Sequence, residues 1–144
     1  MPENWQTKVS ELFKSETGET YNGTTFKMLG IPEWYGNKLL IDTDVYPLPE
    51  SLMGVIWSKP ILSDRVRIVS LVLSKQAQNM NYGSEVLTEL MTHAKSDGKE
   101  AIQLEVRKSN EKAQTFYSRH GLKIDKTIRN YYSNEDGLLM IGDL

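Results

Sequence analysis

The segment from Arg65 to Val106 constrains the fold more than any other part of the chain. Residues 65–73, RVRIVSLVL, form a strand-like run. A helix is predicted from about Ser84 to Ser96, with Val86, Leu87, Leu90, Met91 and Ala94 on one face. The dipeptide Asp97-Gly98 stops it. Residues 101–106, AIQLEV, form the next strand. A strand, a helix and a strand in succession imply a parallel pair joined by a right-handed crossover.

The flanking segments imply antiparallel neighbours. Strands are predicted at Lys38–Tyr46, ending at Pro47, and at Leu52–Ser58, ending before Pro60; the 47–51 turn between them has two prolines and favours a hairpin. A second helix is expected over Asn110–His120, closed by Gly121, followed by strands at Leu122–Tyr132 and Leu138–Ile141 around a Ser-Asn-Glu-Asp-Gly turn. At the other end, Trp5, Val9, Leu12 and Phe13 mark a short amphipathic helix over residues 4–15, with Asn4 as a possible cap. Residues 16–37 read as loops with at most one short strand. The expected fold is therefore an α/β or α+β domain with a mixed sheet, one domain over residues 1–144.

At 144 residues the chain is long enough for a hydrophobic core without staples. Its formal net charge of -2 gives no basic surplus to hold nucleic acid. It has no apolar run near the ~18 residues of a membrane span, and MPENWQTKVS lacks the apolar core of a signal peptide. These features, with the absence of cysteine, fit a cytoplasmic protein that engages neither membrane nor nucleic acid. The lack of cysteine also excludes disulfides and thiolate chemistry, and with only His93 and His120 no histidine-built metal site is expected.

Three places carry possible chemistry. Ser74–Leu87, SKQAQNMNYGSEVL, joins a strand to a helix N-terminus. Such a turn presents outward N–H groups and a helix dipole to an anion, and a pyrophosphate would suit it. Taken alone, the loop reads more simply as an ordinary strand-to-helix connection with Ser84 as cap. On the strand AIQLEV, alternation sends Ile102, Leu104 and Val106 one way and Gln103, Glu105 and Arg107 the other. A carboxylate on a central strand is costly unless it faces a watery cleft, and Glu105 lies near the carboxyl end, where open sheets bind ligands. On the following helix Asn110 is a candidate N-cap, and Ala113, Phe116, Tyr117 and His120 share one face. Tyr117 is thus expected to be largely buried, as core tyrosines commonly are. His120 sits where it would meet the helix's C-terminal dipole.

Taken together, these pieces resemble the GNAT superfamily of N-acetyltransferases. LEVRKSNEKAQTFYSRHGL is most similar to the RimI type of N-terminal protein acetyltransferases, and the likeness continues in IRNYYSNEDGLLMIGDL. The resemblance covers residues 65–144 well, 38–58 plausibly and the first 37 weakly. It implies a mixed, mostly antiparallel sheet with flanking helices and a central splayed parallel pair, Arg65–Leu73 and Ala101–Val106, that seats acetyl-CoA. Backbone groups of Leu71, Val72 and Leu73 would pair with the pantetheine arm. The family's R/Q-x-x-G-x-G/A phosphate loop falls on Gln78, Asn79, Met80, Asn81, Tyr82 and Gly83, with Ser84 following. Asn81 stands where the first glycine is expected, and asparagine is the residue that best substitutes for glycine at positive φ. Asn110 matches the asparagine that touches acetyl-CoA, Tyr117 the tyrosine placed at its sulfur, and Glu105 the proposed general base. Tyr131, beside Tyr132, would help wall an acceptor groove, with Trp34 and Tyr35 opposite.

The chemistry is consistent with those residue types. Acyl transfer from a thioester to an amine needs a proton acceptor for the amine, a donor to the developing oxyanion and a proton for the thiolate. It needs no cysteine. An α-amine has a pKa of ~8 and a lysine ~10.4, so about a tenth of the first but fewer than one in ~2000 of the second is neutral at pH 7. That favours the N-terminal amine of a protein or peptide as acceptor. Lysine, polyamine and other small amines remain alternatives, as does an idle module that only binds acyl-CoA. A monomer or homodimer is expected.

Overall fold

A computed structural model describes residues 5–18 and 35–144. The candidate cap Asn4, most of the 16–37 segment and Trp34 lie outside the described residues. The described chain contains helix α1 (Gln6–Thr17), strand β1 (Lys38–Ile41), a 3-10 turn at Pro49–Ser51, β2 (Leu52–Ile61), β3 (Arg65–Leu73), α2 (Tyr82–Ser96), β4 (Ala101–Arg107), α3 (Glu111–Arg119), β5 (Lys123–Tyr132) and β6 (Glu135–Asp143). The six strands form one sheet in the order β1-β2-β3-β4-β6-β5. The β1–β2, β4–β6 and β5–β6 pairs are antiparallel, and β3–β4 is parallel. The expected crossover and mixed sheet are both present.

Three strand boundaries shift by three or more residues from expectation. Strand β1 stops at Ile41 rather than Tyr46, because the Asp42 carboxylate accepts from the Asp44 N–H (3.0 Å) and its carbonyl accepts from Val45 and Tyr46. Those bonds turn the chain where a ladder would need it extended. Strand β2 continues through Pro60 to Ile61. Its pairing with β1 ends at Ile56, opposite Lys38, so Pro60 has no β1 partner from which to remove a ladder hydrogen bond. At the C-terminal hairpin the turn is shorter than Ser-Asn-Glu-Asp-Gly, for β6 begins at Glu135, which pairs with Tyr132.

The described residues fall into two compact units: residues up to Trp57 with Ser70–Val86, and Ser58–Val69 with Leu87–Leu144. In the first, Trp5, Val9, Leu12 and Phe13 of the α1 segment pack with Leu52, Val55 and Val72. The 3.6-residue spacing of the apolar side chains on α1 builds this stripe. Gly18, at φ 74, ends the helix with its N–H on the Lys14 carbonyl. Gly54 on β2 lets β3 come close: a Cβ there would stand 2.7 Å from Leu73 Cδ2 and 2.9 Å from the Val72 oxygen.

In the second unit Val66, Ile68, Leu87, Leu90, Ala94, Ile102, Leu104, Val106, Leu122, Leu138, Leu139 and Met140 are buried. The alternation of β4 is the one expected, with Ile102, Leu104 and Val106 inward. The parallel ladder runs only from Arg65↔Ala101 to Ile68↔Leu104, although β3 continues to Leu73 and β4 to Arg107. On its other side β4 stays paired throughout: Glu105 faces Leu139, Val106 faces Leu138 and Arg107 faces Gly137.

Candidate active site

The first unit holds the predicted anion loop. After Leu73 the chain turns through Ser74, whose carbonyl accepts from the Ala77 and Gln78 N–H groups at 3.0 and 3.1 Å. Asn79 and Asn81 adopt φ 64 and 66, so the loop uses two asparagines where left-handed backbone is needed. Helix α2 begins at Tyr82, which places Gly83 and Ser84 in its first turn and excludes Ser84 as the N-cap. Gly83 is buried, and Met80 is 56% exposed. The Gln78 side chain does not extend outward. Its Nε2 donates to the Leu73 carbonyl at 2.9 Å and to Glu16 Oε1 at 2.6 Å, closing the loop on itself and tying it to α1. The hydroxyl of Ser74 is buried with no protein partner. Tyr35 is half-buried in the turn before β1.

The second unit holds the predicted acid and base. Glu105 on β4 is gripped by Arg67 on β3, whose Nε stands 2.9 Å from Oε2 and 3.2 Å from Oε1. The same guanidinium donates through Nη2 to the Tyr131 hydroxyl at 3.2 Å. Burial works against the Arg67 charge, but the hydrogen bond and charge of Glu105, then Tyr131, outweigh it and raise its pKa above the usual value. Tyr131 stacks edge-on against Tyr132 with ring centroids 5.0 Å apart, and Tyr132 lies under the Arg107 guanidinium at 4.3 Å.

Tyr117 is buried on α3, as its spacing predicts. Its phenol is pushed far above its ordinary pKa, first by burial and then by proximity to Tyr132. It therefore stays protonated throughout the physiological range. Glu105, Arg67, Tyr131 and Tyr132 thus form one series of contacts, with Tyr117 in the same unit.

Asn110 is the N-cap of α3: its Oδ1 accepts from Ala113 N–H at 3.1 Å. Gln114 adds two bonds from Nε2 to the carbonyls of Arg107 and Lys108. The Ser109 N–H and hydroxyl both donate to Glu135, which also meets Arg107 at 3.2 Å. The Ser109 hydrogen bond, then Arg107, holds the Glu135 carboxyl below its usual range. These contacts fix the turn that carries Asn110. At the far end of α3, burial lowers the His120 pKa and the ring packs on Phe116 at 5.0 Å.

Arg67, in contact with both Glu105 and Tyr131, was not singled out by the sequence reading. Its signal lay in the alternation of RVRIV, which puts Arg65 and Arg67 on the face opposite Val66 and Ile68. Only the parallel register, with Arg67 opposite Gln103, shows that Glu105 is within its reach. An open depression of about 590 Å³ lined by Glu111, Gln114, Thr115, Ser118, Arg119 and Ile124 lies elsewhere on α3 and contains none of the predicted catalytic residues. Among the described residues, no group of three or more His, Cys, Asp and Glu is placed to hold a metal ion.

Comparison with known proteins decides the family. The model of the acetyltransferase (GNAT) family matches residues 7–122. The chain belongs to the GNAT acetyltransferase family. An N-alpha-acetyltransferase of Sulfurisphaera tokodaii is 33% identical over 87 residues, 59% of this chain and 52% of that protein. The chain thus spans about half the length of this curated relative. Among solved structures, Ard1 from Thermoplasma volcanium superimposes with a TM-score of 0.85 at 19% identity, over 100% of this chain and 94% of that one. Arabidopsis thaliana Naa50, solved in complex with the bisubstrate analogue CoA-Ac-MVNAL, gives 0.79 at 21% identity, over 100% and 95%. At these identities the structural likeness establishes the GNAT fold.

Proposed function

We propose that this protein is an acetyl-CoA-dependent Nα-acetyltransferase acting on the N-terminal amine of a protein or peptide. The carrying observation is the contact series Glu105–Arg67–Tyr131–Tyr132, with the buried Tyr117 in the same unit, in a chain of the GNAT family. The relative named as an N-alpha-acetyltransferase and the likeness to Naa50, itself solved with a CoA–peptide analogue, support the choice of donor and acceptor.

The anion loop has the chemistry that acetyl-CoA requires. The first N–H groups of a helix lack intrahelical partners and suit phosphate oxygens. At the start of α2 they follow two left-handed asparagines, and the Ser74 hydroxyl earlier in the same loop is buried and unpartnered. Backbone groups of Leu71, Val72 and Leu73, the loop Gln78, Asn79, Met80, Asn81, Tyr82 and Gly83, Ser84, and Asn110 would hold the donor. The backbone amides of the loop would do most of this work, since Gln78 spends its side chain on Leu73 and Glu16.

Acetyl-CoA supplies an acyl group activated as a thioester. Glu105, through a water, accepts the proton that the attacking amine loses. The Leu73 N–H donates to the acyl oxygen as negative charge develops there. Tyr117, a neutral phenol at physiological pH, gives its phenolic proton to the departing thiolate as charge develops on sulfur. Tyr131, with Tyr35 and Trp34, would contact the acceptor. Residues 1–144 act as one acetyltransferase domain, monomeric or homodimeric, in the cytoplasm and without membrane, metal or nucleic acid in the reaction.

The test is CoA release from acetyl-CoA in the presence of peptides with free and with blocked N-termini. Release only with free N-termini is expected. Equal release with blocked peptides that contain lysine would reassign the acceptor, and donor binding without release to any amine would reduce the protein to an acyl-CoA-binding module.

A further inference from the structure

Tyr131 is held in place by several independent features. Between Ile128↔Gly137 and Tyr132↔Glu135, Arg129, Asn130 and Tyr131 on β5 oppose the single residue Asp136 on β6. This bulge turns on Asn130, at φ 52, whose N–H donates to Asp136 Oδ1 at 2.9 Å. The Tyr131 side chain is thereby laid over Gly137, where a Cβ would meet its Cβ, Cδ2 and Cγ at 3.0 to 3.2 Å. Its hydroxyl then accepts from Arg67. Arg67 in turn donates from Nε to both Glu105 oxygens. The two side chains of that pair are only 24% and 13% exposed, so water screens the contact weakly.

We infer that Arg67 is the positioning residue of this site, joining the base Glu105 and the acceptor-side Tyr131 into one rigid unit through two different nitrogens of its guanidinium. This rests on the acetyltransferase function proposed above. Arginine suits the task because its donors diverge in a fixed plane, one toward the carboxylate and another toward the phenol. A lysine ammonium is a single point and does not hold both at these distances. With Glu105 held from one side, the carboxylate keeps lone pairs for a bridging water while its rotamer is fixed.

The test compares wild type with Arg67→Met and Arg67→Lys, using a peptide with a free N-terminus as acceptor. The folded state of each variant is checked by circular dichroism. A lost charge-assisted hydrogen bond predicts that kcat/KM for the peptide falls about 10- to 100-fold in Arg67→Met. The KM for acetyl-CoA is expected to stay within about twofold, because the Arg67 side chain bonds Glu105 and Tyr131 and none of the residues proposed to hold the donor. Arg67→Lys is expected to recover little, and guanidinium ion added to Arg67→Ala to restore part of the rate. Glu105→Gln is expected to cost less in the Arg67→Met background than in wild type, since the two residues act together. If Arg67→Met does not fold, Arg67→Lys and Tyr131→Phe carry the same comparison. Wild-type turnover that survives these substitutions within about twofold, or strictly additive losses, overturns the positioning role alone. A wild type that transfers acetyl to no amine overturns the acetyltransferase function, and the role with it.

Discussion

At the residue scale, the account turns on Tyr117. Its burial follows from the face it shares with Phe116 on α3, where the two rings meet at 5.1 Å. Desolvation favours the neutral phenol, which gives a stability prediction with a definite sign. The folded-state pKa is raised, so the contribution is fully present below the unfolded value of ~10. As pH rises beyond that, the unfolded chain ionises first, binds fewer protons, and stability falls. Denaturation from pH 9 to 11 is expected to show this loss in wild type, and Tyr117→Phe is expected to remove its share. The same substitution is expected to lower kcat by roughly 10²-fold or more, with acetyl-CoA affinity nearly unchanged, if the phenol is the general acid. Equal kcat in both proteins would take that role from it.

At the scale of elements, the β2–β3 contact and the loop before α2 give separate predictions. Gly54→Ala would drive a Cβ against the Val72 oxygen, a backbone atom that no rotamer change can move away. It is expected to cost about 1–3 kcal/mol in chemical denaturation and to weaken acetyl-CoA binding through the displaced Leu73. Wild-type stability would show that the strands part freely. Asn81→Gly keeps the left-handed φ of 66 and removes a side chain. Calorimetry is expected to show acetyl-CoA binding unchanged or tighter. Weaker binding would mean that the Asn81 amide itself contacts the donor. On the far edge of the sheet, β5 exposes Lys123, Asp125, Lys126 and Arg129, charges that discourage pairing with another strand.

Across the whole molecule, what was legible in the sequence was what periodicity encodes. The alternation of AIQLEV placed Glu105 opposite the core face, the helical spacing buried Tyr117, and Asn110 was a cap before it was anything else. Asn81 took the positive φ that its place in the loop demanded. What was not legible depended on register and on irregularity. The Arg67–Glu105 pair needs the alignment of two strands separated by a helix, which no local pattern contains. The bulge that swings Tyr131 onto Gly137 adds unpaired residues to one strand, and IRNYYSNEDG carries no mark of where they fall. The early end of β1 is a third case, set by Asp42 bonds that compete with the ladder.

The central claim is that the acceptor is an α-amine. It is tested most directly with one peptide that bears a free N-terminus and an internal lysine, incubated with acetyl-CoA at pH 7. Neutral-amine fractions alone favour the N-terminus by about 200-fold at that pH. The account predicts that mass spectrometry finds the acetyl group on the N-terminal nitrogen while the lysine stays free. An acetyl group on the lysine, with the N-terminus untouched, would contradict it.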